Sequence, residues 1–372
     1  MSNFEKTLGY ADSGWEHREE PMATVNVLQK LNLPTLQEAE IELNGNNCFD
    51  LDDRALRSRN CPNVVVGRPH AGEHIPSDLF DKMTEGGQKG ASIIDRGTQI
   101  IGQSEKFPSV GFKISRYVVD GNRPPIPETA NQKISVAPGE VVWTKGAFEG
   151  EQFAMDKPIY QDGQELDEET RQKLIEKYYL TYYNAVMGTL GAVADRRQNP
   201  AERVLMIDVH SFPISGNFEQ YYGHYGIKDP RELPLFIIGW GNEAKGPARC
   251  DEDIREAFAD ALEKNYQVLP EKDKKLIMGK LKGGLVSRND ILKGVQNVKF
   301  YGEREKGFNA LQLELNEAAF VEEEPMAGEK TAGEEKMGDW FKFQYNQKGL
   351  KIIQQLLEKS ILDIDPLLKG EK

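Results

Sequence analysis

The sequence predicts an α/β fold, a mostly parallel or mixed twisted sheet with helices on both faces, and three observations support it. Val64-Val65-Val66 is a continuous β-branched run, as expected of a strand buried on both faces. Further short apolar stretches read as strands at residues 112–119, 204–209, 235–239 and 311–315. Between them lie segments with helical rather than alternating spacing, and strands that alternate with helices imply a sheet covered on both sides.

Taken in chain order, residues 1–60 are mixed and charged, and are expected to form an extension packed on the main body. The core, 61–320, begins with the strand at 64–66 and continues with the one at 112–119. Residues 124–138, rich in proline, are expected to be loop. Residues 166–196 open with acidic side chains and carry Leu174, Ile175, Tyr178, Tyr182, Met187 and Leu190 at helical spacing. After the strands at 204–209 and 235–239, residues 251–265 place Ile254, Phe258 and Leu262 on one helical stripe. The strand at 311–315 completes the core. Residues 321–372 then hold an acidic, glycine-containing loop over 322–338 and an amphipathic helix over 350–361.

Composition removes several classes of function. The chain has 372 residues, 38% of them hydrophobic and 9% aromatic, too apolar for a disordered chain and long enough to bury a sizeable core. No apolar run approaches the roughly 20 residues that span a bilayer, and the first residues lack the basic and apolar regions of a secretory signal. The net charge of −13, from 47 basic and 60 acidic residues, disfavours nucleic acid and anionic membranes as partners. Cys48, Cys61 and Cys250 form no CxxC pair, and an odd count argues against a disulfide framework. Together these point to a reduced, cytoplasmic compartment and a small-molecule substrate.

Of the five histidines, His70 and His210 stand where a buried strand ends and a loop begins. Carboxyl ends of strands are where open α/β sheets bind ligands. His70 opens the string H-x-x-E-H, which on a helix would place His70 and His74 on one face for zinc. Pro69, Gly72 and Pro76 oppose a helix there, so His74 is expected at the surface or behind the ligands. In a loop, His70 and Glu73 with the distant His210 make a His₂Glu metal site that leaves a position open for water. Such a site lowers the pKa of its water towards ~7 and polarises a carbonyl. The reaction needs a base as well. Glu314, a carboxylate inside the apolar stretch Leu311-Gln312-Leu313-Glu314-Leu315, is either that base or the partner of a structural arginine. Asn122-Arg123 follows the strand expected at 112–119, and Arg123 is suited to a bidentate grip on a substrate carboxylate.

In order, H-x-x-E, Asn-Arg, a late His and a strand Glu resemble the zinc carboxypeptidases. The wording around each piece is more similar to a related family, the N-formylglutamate amidohydrolases. VVVGRPHAGEHIP, SRYVVDGNRPP, VLMIDVHSF, KGGLVSR and the later YG…NALQLELNEAAF all resemble that family's strings in the same order. The resemblance runs from Asn63 to about Phe320 and implies a zinc-carboxypeptidase-like fold of the phosphorylase/hydrolase kind. It implies a zinc-dependent amidohydrolase that removes an N-formyl or other N-acyl group from an amino acid such as N-formylglutamate. By position, His70 and His210 would be zinc ligands, Glu314 the general base, and Asn122-Arg123 the substrate-binding pair. Arg288 would be a second arginine near the substrate, and Asp208 would support the site from behind. Asp95, in ASIIDRG, competes with Glu73 for the third ligand position. Leu285 replaces the family's tyrosine, and residues 289–300 intervene before Tyr301-Gly302, so this wall of the pocket is expected to differ. The alternatives are a carboxypeptidase-like metallopeptidase and a metal-free binding protein on the same fold.

Overall fold

The computed structural model describes residues 48–84, 95–123, 159–212, 226–241, 246–294, 296–323 and 344–371. His17, His224, the loop at 124–138 and nearly all of that at 322–338 lie outside them, as do residues 1–47 of the N-terminal extension. The main sheet is built from β1 (Phe49–Asp52), β2 (Val64–Arg68), β3 (Ser109–Phe112), β4 (Val204–Phe212), β5 (Phe236–Gly239), β6 (Val286–Arg288) and β7 (Phe308–Asn316). Its seven strands lie in the order β1-β3-β2-β4-β7-β5-β6. The neighbours β3, β2, β4 and β7 run parallel, whereas β1 and β5 pair antiparallel to them and β6 is parallel to β5. The sheet is therefore mixed. A small second sheet pairs β8 (Val321–Glu323) with β9 (Gln344–Tyr345).

Helices cover both faces because the central strands are apolar on both. Val65, Val204, Met206, Phe308 and Ala310 pack against α1 (Glu168–Leu174) and α2 (Leu180–Ala194) through Leu174, Tyr182, Val186 and Leu190. The expected helix at 166–196 is thus present, with a π-helical turn, Ile175–Tyr179, between its two parts. On the opposite face Val64, Val66, Leu205, Ile207, Leu311 and Leu313 pack on α3 (Glu252–Gln267) and the C-terminal helix. Between these lie α4 (Glu271–Met278) and α5 (Gln296–Tyr301), and the chain ends in α6 (Gln347–Leu368). No helix among the described residues is long and apolar enough to cross a membrane.

Two local readings need correction. Residues 49–52, expected in an extension, form the edge strand β1, whose register pairs Phe49 with Phe112. The strand expected at 112–119 ends at Phe112. Beyond it the Ser115 carbonyl accepts bonds from the backbone N–H of Val118 and Val119, which turns the chain. Ile114, Tyr117, Val118 and Val119 are all buried, so their apolar run looks like a buried strand although the backbone is a turn. That turn brings Asp120 beside the end of β2.

Candidate active site

The pleat of β4 and β7 separates a packing zone from a chemical zone on one face. Alternate residues share a face, so Val204, Met206, Asp208 and His210 of β4 stand beside Phe308, Ala310, Gln312 and Glu314 of β7. The amino-terminal members are core, and the carboxyl-terminal members are polar. β2 ends before Pro69, which has no N–H to extend the ladder, and His70 follows in a turn. The loop lies so close to the chain after β3 that a Cβ on Gly72 would come within 2.1 Å of the Lys113 carbonyl carbon. Backbone bonds from His74 N to Lys113 O and from Ser115 N to His74 O fasten it there.

Three groups converge at this edge. His70, Asp95 and His210 are buried, and one possible ligand atom from each lies within 4.8 Å of the others. Asp95 is placed by its own backbone: its N–H donates to His70 O, and its carbonyl accepts from Thr98 Oγ1 at 2.6 Å. Asp95 Oδ2 lies 2.7 Å from His210 Nδ1 and 3.3 Å from His70 Nδ1. Each ring is held from its other nitrogen by a second carboxylate. His70 Nε2 is 2.7 Å from Asp120 Oδ1, and His210 Nε2 is 2.8 Å from Asp208 Oδ2. Both rings therefore turn Nδ1 towards the same oxygen, as rings fixed by a carboxylate do when they ligate a metal.

A further layer braces these carboxylates. Asn297 Nδ2 donates to Asp208 Oδ1, and Arg116 Nη2 pairs with Asp120 Oδ2 at 3.1 Å. Glu314 stands beside His210 in register and accepts a bond from Gln312 Nε2 on Oε1. Its other strand neighbour is the apolar Ile237. Burial pushes the Glu314 carboxyl up to about 7, against the pull of His210 and with Asp95 and Asp208 adding to the rise. Burial would also raise Asp95 and Asp120, but the charges around them win. His70 and His210 hold Asp95 below the usual carboxylate range, and His70, Arg116 and Arg123 hold Asp120 well below it. Burial works against a charged His210, yet Asp208 and Asp95 keep its pKa well above that of free imidazole. The site is thus a set of ionised carboxylates balanced by nearby positive charge, with one carboxyl poised near neutrality.

The residues expected from sequence separate into two groups. His70, His210, Asp208 and Glu314 come together, and Arg123 lies half-buried on the turn that carries Asp120. Glu73 does not join them. The turn after His70 leaves its side chain exposed, and Asp95 stands in the third place. Asn122 is buried with its amide engaged inside the protein: Oδ1 accepts from Asn297 N, and Nδ2 lies 3.3 Å from His210 Nε2. Arg288 lies on the wrong side of the sheet. It pairs with Ile238 and through it with Leu313, one residue out of phase with Glu314. Its guanidinium instead binds Glu256, Asp260 and Glu263 of α3 at 3.0–3.1 Å. Asp120, Arg116, Asn297 and Gln312 were not expected. Gln312 was the legible one, since period-two alternation places it on the face of Glu314.

Comparison with known proteins gives the family and the fold. A family model described as N-formylglutamate amidohydrolase matches residues 63–321. Over 265 residues the chain is 24% identical to the N-formylglutamate deformylase of Pseudomonas putida, covering 70% of this chain and 82% of that protein. The crystal structure of N-formylglutamate amidohydrolase from Ralstonia eutropha JMP134 superposes with a TM-score of 0.54 at 21% identity, over 87% of this chain and 98% of that one. A gene product of Agrobacterium tumefaciens is more distant, with a TM-score of 0.39 at 18% identity over 72% and 84% of the two chains.

Proposed function

Because the chain belongs to the N-formylglutamate amidohydrolase family, we propose that it hydrolyses the amide of an N-formyl or other N-acyl amino acid, N-formylglutamate first among them, with zinc as cofactor. The observation that carries this reading is the pair of histidines turned by Asp120 and Asp208 towards Asp95. The donor set fits a divalent cation on three grounds. His70 Nδ1 is buried without a hydrogen-bond partner and faces that site. Four buried carboxyl groups, those of Asp95, Asp120, Asp208 and Glu314, gather around the two imidazoles, and oxygen donors of this kind suit a divalent cation. Two imidazoles and a carboxylate are also the mixed nitrogen and oxygen donors of catalytic zinc sites.

Held by His70, Asp95 and His210, zinc would polarise the scissile carbonyl and acidify a water. With Asp120 and Asp208 accepting from the two Nε2–H groups, each Nδ1 would serve as the metal ligand, His210 giving up the Nδ1 proton it shares with Asp95 when the cation binds. Glu314 takes a proton from the attacking water on Oε2, the oxygen that Gln312 leaves open, and returns it to the departing nitrogen. Burial, which raises the Glu314 carboxyl, favours its taking up a proton and so suits it to carry one between water and the departing nitrogen. Arg123 is the anchor for the substrate's carboxylate, on a chain whose net charge of −13 otherwise repels it. Residues 61–320 form the catalytic core in this reading, and every residue named in the mechanism falls within them. A cytoplasmic place of action belongs to it too, supported by Cys48, Cys61 and Cys250, all buried and free.

The test is metal content followed by a substrate panel. Protein purified without chelators should carry about one zinc per chain, as a preformed three-residue site implies. Formylated, acetylated and succinylated amino acids should then be compared with short peptides. Cleavage of peptides alone would transfer the site to a peptidase, and a metal-free, inactive protein would reduce it to a binding module.

A further inference from the structure

A second carboxylate lies behind the metal-binding residues, on the opposite face of the sheet. Glu317 is 1% exposed and opens the 3₁₀ turn Glu317–Ala319 directly after β7. Asn316 Oδ1 caps that turn by accepting from Ala318 N, and Asn316 Nδ2 donates to the carbonyls of Pro230 and Leu233, so the turn is fixed at both ends. The two oxygens of Glu317 reach the chain neighbours of two metal-binding residues. Oε1 accepts from Ser211 Oγ at 2.8 Å and from Arg96 N at 3.2 Å, and Oε2 pairs with Arg96 Nη1 at 2.9 Å. Ser211 follows His210, and Arg96 follows Asp95. Glu317 itself lies a few residues beyond Glu314 on the same strand end. One carboxylate therefore ties together the segments that carry Asp95, His210 and Glu314, without facing the site.

We propose that Glu317 is a positioning residue that holds Asp95 and His210 at the separation a divalent cation requires. This rests on the metal-site reading above. A buried ion pair is a poor device for stability alone, because apolar residues of similar volume do as well or better. It is a good device for register, since each of its bonds has a fixed length and direction. The geometry supports that use. Asp95 comes from a turn and His210 from a strand, and no described backbone bond joins their two segments directly. Through Arg96 N and Ser211 Oγ, Glu317 Oε1 makes that link with one atom.

The experiment uses the full chain with Glu317→Gln and Ser211→Ala. Zinc affinity is measured by chelator competition, ligand geometry by the visible absorption of the cobalt(II) form, and stability by unfolding of the metal-free protein. Glu317→Gln should weaken zinc binding by ~10–100-fold, the usual effect of removing support behind a ligand, and change the cobalt bands. Ser211→Ala keeps the Arg96 pair but cuts the tie to β4, and should give a smaller loss in the same direction. A purely structural role predicts a lower unfolding midpoint with parental zinc affinity and cobalt spectrum in the folded protein, and that result overturns the proposal. If Glu317→Gln does not fold, Ser211→Ala decides alone, and parental affinity there overturns it equally. A parent chain that binds no zinc would instead overturn the metal-site reading itself, and this proposal with it.

Discussion

Glu314 illustrates how one residue takes its chemistry from its neighbours. On β7 it faces His210 on one side and Ile237 on the other, so it is desolvated yet within the field of the site. Glu314→Gln preserves shape and the approach of Gln312 but removes the proton acceptor. Turnover should fall by ~10²–10⁴-fold while zinc content stays at the parental level. Turnover within a few-fold of the parent, on any substrate the parent cleaves, would remove Glu314 from the mechanism. Asp208 acts one step further away, through His210 Nε2. Asp208→Asn retains an oxygen that can accept from that ring but loses the charge that makes the imidazole a stronger donor. Zinc dissociation should therefore become ~10–100-fold more favourable in chelator competition, with little change in fold. Unchanged affinity would mean that the carboxylate only fills space beside Asn297.

At the scale of elements, the alternation of a strand decides which charges reach the site. Arg288 and Glu314 lie on strands separated only by β5, yet they project from opposite faces because their registers differ by one residue. Glu256, Asp260 and Glu263 lie along one side of α3 and hold the guanidinium where it is. Arg288→Ala should consequently leave kcat/KM on formylglutamate unchanged and lower stability by ~1 kcal/mol or less, the range of part-exposed ion pairs. A tenfold loss of kcat/KM with an intact unfolding midpoint would place Arg288 back at the substrate. The loop after β2 shows the same dependence on backbone packing. Gly72 lets the chain lie flat on Lys113, and this contact aims His70 inward while Glu73 and His74 face outward.

For the whole molecule, metal binding and folding should be linked. The candidate ligands come from three separate stretches of chain, so no such site exists in the unfolded protein and an ion bound there would stabilise only the native state. At a free zinc concentration about 100 times Kd the gain is ~2.7 kcal/mol, and stripping zinc with a chelator should lower the thermal midpoint by several degrees. Re-addition of zinc should restore it, and a midpoint indifferent to chelator would argue against an integral site. Much of this architecture was legible in the sequence, because it rests on local or periodic information. The apolar runs at Val64 and Val204, the helical stripe of Ile254, Phe258 and Leu262, and a histidine just past the end of β2 all follow from residue order and burial, whereas His210, expected beyond its strand, lies inside β4, which runs on to Phe212. The motif order carried the family in the same way. Three matters waited for the tertiary structure. Asp95 rather than Glu73 stands beside the histidines, because a turn set by Pro69 and by the contact of Gly72 with Lys113 points one carboxylate out, while a backbone bond to His70 brings the other in. The apolar run after β3 is a turn, because burial alone does not distinguish the two backbones. Arg288 is kept from the site by a single step of strand register, a quantity fixed by pairing between distant segments and not by any one of them.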